Sequence, residues 1–264
     1  MRDISKAIEE HKEKVFEHYP KDQVLGVFVY GSQNYGIATE NSDVDTKAII
    51  IPTLKDLALG TPVSKELHLE NEEHCEVKDI REMVKMFAKQ NMNFIEILFT
   101  KYYWINPKYK EFWDKYFIRY NQEIAYMHPR YTILSTCGQA IHTLRQNPLD
   151  GKKFANGIRL YQFLQLYLYG VPYFYAIDVK ANSKDFVDHI IGLKTGAIQH
   201  SEEANELLVQ KFIDLQKLAE YYPKEPSKKI TNIMNDGIMA LITNGLKDFD
   251  FYKRRNENDK KLSF

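Results

Sequence analysis

The sequence has few of the features that mark secreted, membrane-spanning or zinc-stabilised proteins. Its two cysteines, Cys75 and Cys137, lie far apart and match no metal-binding spacing, so we expect free thiols in a reducing compartment. The first residues are charged and lack the apolar stretch of a signal peptide. The most apolar window, residues 160–177, contains Gln165 and Pro172 and therefore predicts a buried helix, not a membrane span. These absences favour a soluble, cytoplasmic protein with no membrane partner.

The sequence also has no excess charge of either sign. Among 264 residues, 36 Lys and Arg balance 36 Asp and Glu. Zero net charge argues against a protein that binds nucleic acid over its whole surface, although a local basic groove stays open. Aromatic residues are plentiful, with 18 Tyr and 15 Phe, and they favour core packing over a base-stacking platform.

The first informative stretch begins where an apolar run ends in glycine. Residues 24–30 are typical of a buried strand, and Gly31 and Ser32 follow directly. Glycine lets the backbone approach a phosphate closely, and the Ser32 hydroxyl with nearby amides can donate to it. A plain turn at Gly31 and Ser32 is the alternative.

A second apolar run, residues 43–51, predicts another strand that Pro52 stops. Side chains alternate along a strand, so Asp43 and Asp45 are expected on the same side. Neighbouring carboxylates repel each other unless a cation lies between them. A divalent metal that carries a nucleotide's phosphates is the simplest occupant, because hard cations take oxygen ligands.

Together these two stretches resemble the signature of the DNA polymerase beta-like nucleotidyltransferase superfamily. In that signature an apolar strand ends in Gly-Ser, and Asp-x-Asp follows about ten residues later; here residues 33–42 form the gap. The resemblance implies an α/β (α+β) fold, a mixed β-sheet with helices followed by an all-helical domain. It also implies transfer of a nucleoside monophosphate from a triphosphate such as ATP to an acceptor hydroxyl, with release of pyrophosphate. Asp43 and Asp45 would hold Mg²⁺ or Mn²⁺.

The superfamily's chemistry requires a third carboxylate on a neighbouring strand. Residues 72–79 have the pattern of a strand and offer Glu76, where the superfamily usually has Asp. That carboxylate would complete the metal site or accept the proton of the attacking hydroxyl. Asp79 is the alternative, but Asp79 and Glu82 have capping-box spacing before an amphipathic run, so we interpret Asp79 as an N-cap. Glu76 could also be a solvated strand residue.

Residues 78–99 resemble one subgroup, the RNA-ligase-associated family of predicted nucleotidyltransferases. There a helix is followed by Asn-x-Asn and an apolar segment that contains Glu. Asn91, Asn93 and Glu96 occupy those positions here. We interpret these three residues as structural, serving the turn, the cap and the packing.

The second informative stretch is a predicted helix over residues 150–169. Lys152, Asn156 and Arg159 fall at i, i+4 and i+7 and therefore share one helical face. Such a stripe could hold a triphosphate against a bound metal. Arg would bind through two hydrogen bonds and Lys as a point charge. The RNA-ligase-associated family has Lys-x-x-x-His-x-x-Arg at this place, so Asn156 departs from its pattern. A solvated charged face is the alternative.

The remaining chain sets the expected domain organisation. We expect a catalytic domain over residues 1–125 and a helical domain over residues 126–264 that closes the nucleotide cleft. A disordered tail is expected from about residue 254. Locally, Ser5 is a possible N-cap of the first helix, residues 54–66 predict a loop, and residues 173–177 predict a short strand or packed loop.

Two further classes of function stay open. The chain could be a catalytically inactive nucleotide-binding module, which the glutamate at position 76 would favour. It could also be an RNA-binding or assembly protein that uses its aromatic helices. Within the enzyme hypothesis, the acceptor could be RNA, a protein or a small molecule.

Overall fold

The computed structural model describes residues 2–69, 72–181 and 183–243. The strands are β1 Val24–Tyr30, β2 Asp45–Ile50, β3 Ser64–His68, β4 His74–Asp79 and β5 Tyr103–Ile105. The helices are α1 Ile4–Phe16, α2 Ser32–Tyr35, α3 Leu54–Ala58, α4 Ile80–Ala88, α5 Met92–Ile95, α6 Lys110–Tyr116, α7 Asn121–Ala125, α8 Pro129–Gln146, α9 Gly151–Leu168, α10 Tyr173–Ile177, α11 Lys184–Thr195, α12 Glu202–Lys217 and α13, residues 228–243. After β5 the described secondary structure is helical, as the expected fold class requires.

The strands form one mixed sheet in the order β3-β4-β2-β1-β5. β1 pairs antiparallel with both β2 and β5, while β4 pairs parallel with β2 and antiparallel with β3. Tyr30 lies opposite Asp45, and Lys47 lies opposite Glu76. A mixed sheet with a helical second half confirms the α/β fold class.

The two faces of the sheet pack differently. One face buries aliphatic residues such as Val27 and Val77 against α1, which contributes Val15. The other face carries Phe28 into the largest apolar cluster, which extends through the later helices as far as Leu241. Sheet and helices therefore share a continuous core. The domain boundary at residue 125 stays a prediction.

Three local expectations were wrong. The N-cap of α1 is Asp3, not Ser5, because the Asp3 carboxylate accepts from the amides of Ser5 and Lys6. The stretch expected as a loop over residues 54–66 contains α3 and the start of β3, an edge strand whose pattern is exposed apart from Leu67.

Residues 173–177 form α10, not a strand or packed loop. Pro172 stands at the N-cap with extended backbone, and the Tyr173 amide donates to the side chain of Gln122. The Tyr173 ring stacks on Phe99. Tertiary packing therefore overrides the strand preference of these aromatic and branched residues.

No helix in the described ranges is long and apolar enough to cross a membrane. The tail expected from residue 254 lies outside the described residues.

Candidate functional site

A cavity of about 760 Å³ opens where β1 ends and β2 begins, facing α9 and α11. Its lining combines acidic and cationic side chains, the main ones being Asp43, Asp45, Lys152, Lys153, Arg159 and Lys194. Asp45 is the first residue of β2, and Asp43 lies in the loop just before it. The four cations come from α9 and α11, and Asp150, the N-cap of α9, adds a third carboxylate to the lining. The cavity thus has an acidic wall and a basic wall.

The acidic wall lies where the chain enters β2. Val44 is fully buried between the exposed Asp43 and the half-buried Asp45, so both carboxylates face the cavity. Asp45 Oδ1 accepts the backbone N–H of His74 at 3.1 Å. Burial and the neighbouring Asp43 carboxylate raise the pKa of Asp45, while the His74 N–H acts in the opposite direction. A cation between the two acids would relieve their repulsion.

A buried polar cluster supports this wall from behind. Glu73 is 2% exposed; its Oε1 accepts from the Val44 amide at 3.2 Å and from Arg2 Nε at 3.1 Å. Its other oxygen lies 3.1 Å from His11 Nε2, and His11 Nδ1 lies 2.7 Å from the Thr46 hydroxyl. These contacts hold the backbone of Val44 and the side chain of Thr46, the two neighbours of Asp45.

Gly31 and Ser32 occupy the turn between β1 and α2. Gly31 has φ 87° and ψ −145°, a conformation that residues other than glycine rarely adopt. Its amide donates to Glu96 Oε2 at 3.2 Å and is therefore already bonded within the protein. Ser32 lines the cavity, whereas Gly31 is absent from the cavity lining.

Glu96 is fully buried beneath this turn. Besides the Gly31 amide, its carboxylate accepts from the Asn34 side chain at 3.3 Å and from the Tyr35 hydroxyl at 3.0 Å. Burial raises the pKa of Glu96 to about 7, against the lowering effect of these hydrogen bonds and of Arg159. We expected a structural role for Glu96, and that role is to hold the turn at Gly31 in place.

The predicted cationic stripe lies on the basic wall. Lys152, Asn156 and Arg159 all line the cavity from α9. Arg159 is only 4% exposed, and its Nε and Nη2 donate to Asn156 Oδ1 at 3.2 and 2.8 Å. Its remaining nitrogen, Nη1, is buried without a hydrogen-bond partner in the described structure. Asn156 thus orients the guanidinium, and Nη1 is left available to an anion.

Sequence reasoning missed Lys194, which reaches the cavity from α11. Its Nζ donates to Ser42 Oγ at 3.0 Å and to the carbonyl of Ile37 at 3.1 Å, beside the Asp43 loop. Burial and the Lys152 ammonium lower the pKa of Lys194, with Asp43 acting in the opposite direction. No local pattern around position 194 could have indicated this contact, because 152 residues separate Lys194 from Ser42.

Glu76 lies away from the cavity lining. It sits on β4 opposite Lys47, two residues beyond the level of Asp45, and is ion-paired with Lys47 and, at 3.3 Å, with Lys78. Burial alone would raise the pKa of Glu76, but the two ammonium groups outweigh it and hold the pKa below its usual value. The carboxylate is therefore engaged as a structural partner of two lysines in this conformation.

Asp79, the alternative third carboxylate, lies farther from the acid pair. It pairs with Ile50 at the opposite end of β2 from Asp45. Its side chain accepts from the amides of Arg81 and Glu82 at the start of α4. The expected N-cap is confirmed.

No protein-family model and no curated protein matches the chain. Among solved structures, a nucleotidyltransferase-like protein from Exiguobacterium sibiricum is similar over 92% of this chain and 75% of its own, at 12% identity and a TM-score of 0.31. A likeness of that size carries no conclusion about activity.

The side chains that line the cavity indicate which kind of ligand it can bind. Asp43 and Asp45 present carboxylate oxygens, the donors that Mg²⁺ and Mn²⁺ prefer, at the mouth of a cavity. Opposite them, Lys152, Arg159 and Lys194 present nitrogen donors suited to phosphate oxygens. The arrangement suits an anionic ligand that carries its own divalent cation.

Proposed function

We propose that the chain is a metal-dependent nucleotidyltransferase. It would move a nucleoside monophosphate from a nucleoside triphosphate to an acceptor hydroxyl and release pyrophosphate. The supporting observation is that Asp43 and Asp45 face Lys152, Arg159 and Lys194 across a single cavity. A polyphosphate with a divalent cation is a common ligand that satisfies both walls at once.

In this proposal each wall has its own task. Asp43 and Asp45 hold the cation, which when bound neutralises phosphate charge and polarises the phosphorus under attack. Arg159 binds a phosphate oxygen through its unpartnered Nη1 while Asn156 keeps the guanidinium in the cavity. Lys152 adds a point charge.

Gly31 and Ser32 are proposed to bind the beta and gamma phosphates. The Ser32 hydroxyl is the direct donor, since the Gly31 amide already donates to Glu96. Gly31 contributes by bending the backbone so that Ser32 reaches the cavity.

Glu76 is proposed as the third carboxylate of the site. To act on the metal or on the acceptor hydroxyl, it must exchange its contacts with Lys47 and Lys78 for contacts in the cavity. Glu76 and Asp45 point to the same side of neighbouring strands, so rotation of the Glu76 side chain would turn it towards the acid pair.

The ion pairs of Glu76 also favour a second candidate, a nucleotide-binding module without turnover. If Glu76 stays with its lysines, the cavity offers a triphosphate site with Asp43 and Asp45 but no carboxylate from β4. The two candidates predict the same ligand and differ in whether pyrophosphate is released.

A pyrophosphate assay tests the proposal. Labelled nucleoside triphosphates and Mg²⁺ are incubated with the protein and with tRNA, total RNA or the protein itself as acceptor. Wild type should release pyrophosphate and label an acceptor, and Asp43→Asn with Asp45→Asn should lower the rate by at least about 10²-fold. Asp188→Asn, an exposed carboxylate on α11 outside the cavity, is the matched control.

Each alternative outcome has a distinct meaning. Triphosphate binding that depends on Asp43 and Asp45 but yields no pyrophosphate with any acceptor supports the module. Turnover that survives the double substitution contradicts both candidates.

A further inference from the structure

A second group of ligating side chains lies on the outer hairpin of the sheet. In the antiparallel pair of β3 and β4, His68 lies opposite His74, and Glu66 is two residues before His68 on the same face. One nitrogen from each imidazole and one carboxylate oxygen of Glu66 all lie within 4.8 Å of one another. The two imidazole rings are 4.8 Å apart at an angle of 80°.

The contacts among these side chains leave one buried nitrogen without a hydrogen bond. His74 Nδ1 is buried and has no hydrogen-bond partner within the described residues. It lies 3.5 Å from Glu66 Oε1, too far for a good hydrogen bond. A polar nitrogen that is shielded from water and aimed at a carboxylate is costly unless something bridges the two.

Two other potential ligands on β4, Glu76 and Cys75, are not available to this group of side chains. Glu76, opposite Glu66, is already paired with Lys47 and Lys78. Cys75 is fully buried on the other face of β4 and cannot reach the cluster. The two imidazoles and the Glu66 carboxylate are thus the side chains that place donor atoms within 4.8 Å of one another here.

We propose that Glu66, His68 and His74 bind one zinc ion, with water as the fourth ligand. Zinc takes imidazole nitrogen at about 2.0–2.1 Å and carboxylate oxygen at about 2.0–2.2 Å in a tetrahedral arrangement. Small rotations of the exposed Glu66 and His68 side chains bring the three donors to that distance. Imidazole ligands disfavour Mg²⁺, which prefers oxygen, so this site and the acid pair select different metals.

The sequence could not indicate this site. Glu66, His68 and His74 match no zinc-binding spacing, and they converge only because β3 and β4 pair in this register. The site nevertheless adjoins the cavity, since the His74 amide donates to Asp45 Oδ1. Zinc bound here would fix the edge of the sheet beside the acid pair.

Zinc titration of the untagged full chain tests the proposal. Competition with a chromophoric chelator gives stoichiometry and affinity, and Co²⁺ substitution reports tetrahedral coordination by its visible absorption. Wild type should bind one zinc ion. His68→Gln and Glu66→Gln should each weaken binding by at least about 10-fold, because each removes one of three protein ligands.

Three controls make the result decisive. His189→Gln removes an exposed histidine on α11 and should leave zinc affinity unchanged. Circular dichroism should show that His68→Gln keeps the wild-type fold, as expected for an exposed position. Asp43→Asn with Asp45→Asn should keep zinc binding, so failure of the proposed transferase activity leaves this test intact.

Two results would overturn the zinc proposal. One is the absence of stoichiometric zinc binding by the wild type. The other is zinc binding that persists in His68→Gln and disappears with Asp43→Asn and Asp45→Asn, which would assign the ion to the acid pair.

Discussion

The guanidinium carbon of Arg159 lies 3.8 Å from the centroid of the Tyr35 ring. The hydroxyl of the same tyrosine donates to Glu96, which in turn accepts the amide of Gly31. Arg159 on α9 and the turn after β1 are therefore joined through one aromatic side chain. Stacking on the ring also presets the plane of the guanidinium before any ligand arrives.

This relationship predicts the effect of Arg159→Ala. We expect the Michaelis constant for the triphosphate to rise by about 10-fold or more, because a preset charged donor is lost. Arg159→Lys should recover only part of the loss, because one ammonium nitrogen lacks the planar fork that holds Asn156 on one edge and presents Nη1 on the other. Steady-state kinetics with thermal melting separates binding from folding. Arg145→Ala, at an exposed position on α8, is the control. Unchanged kinetics in Arg159→Ala would contradict the proposed contact between Arg159 and the phosphates.

Glu96 should make the stability of the folded protein depend on pH. Its pKa of about 7 lies above the ordinary value of 4.5, so the folded state keeps a proton that the unfolded state releases. Between about pH 4.5 and 7 the wild type should therefore lose stability relative to Glu96→Gln as pH rises, by on the order of 3 kcal/mol. Above pH 7 the difference should level off.

Urea unfolding at pH 5 and pH 8 measures this difference. The Gln amide can keep an oxygen towards the Gly31 amide and donate to the Tyr35 hydroxyl, so the variant should fold. Glu206→Gln, at an exposed position on α12, should follow the wild type at both pH values. A constant gap between wild type and Glu96→Gln across this range would contradict the prediction.

Lys194 should contribute to nucleotide affinity although it lies far from the acid pair in sequence. Lys194→Ala removes a cation from the basic wall and two hydrogen bonds to the loop before Asp43. We expect the dissociation constant of the Mg²⁺-triphosphate complex to rise several-fold, about 3- to 10-fold, as for loss of one charge-assisted contact. Equilibrium binding should show no change for Lys184→Ala, an exposed lysine on the same helix. Equal affinities in both variants would exclude Lys194 from the site.

Gly31→Ala should destabilise the protein although the space around the new methyl group is open. A Cβ at Gly31 would meet no atom within 4 Å, so the cost comes from φ 87° and ψ −145° alone. We expect a loss of about 1–3 kcal/mol in the free energy of unfolding. Gly138→Ala, at an exposed position inside α8, should instead add about 0.5–1 kcal/mol, as usual for helix interiors. Chemical denaturation of both variants checks the opposite signs.

Strongly patterned elements were predictable from the sequence. The bounds of β1 were expected at the residues where the structure has them, and those of α9 within one residue at each end. An uninterrupted apolar run and a polar stripe at helical spacing leave little ambiguity. The N-cap at Asp79 was equally clear from its spacing. By contrast, β3 was missed because an exposed edge strand has no apolar alternation to detect.

The site was predictable only where its residues belong to one local pattern. Asp43 and Asp45 are one residue apart, and Lys152, Asn156 and Arg159 share a helical face, so spacing alone grouped each set. The pairing of Lys47 with Glu76 depends on strand register, which no local pattern specifies. Lys194 depends on the packing of a distant helix.

The contact between Lys194 and Ser42 spans 152 residues of chain. During translation, the segment with both aspartates leaves the ribosome long before the helices that oppose it. Asp43 and Asp45 are therefore exposed without the opposing lysines and arginine until the later helices have been synthesised. A complete binding pocket can form only after residue 194 has emerged.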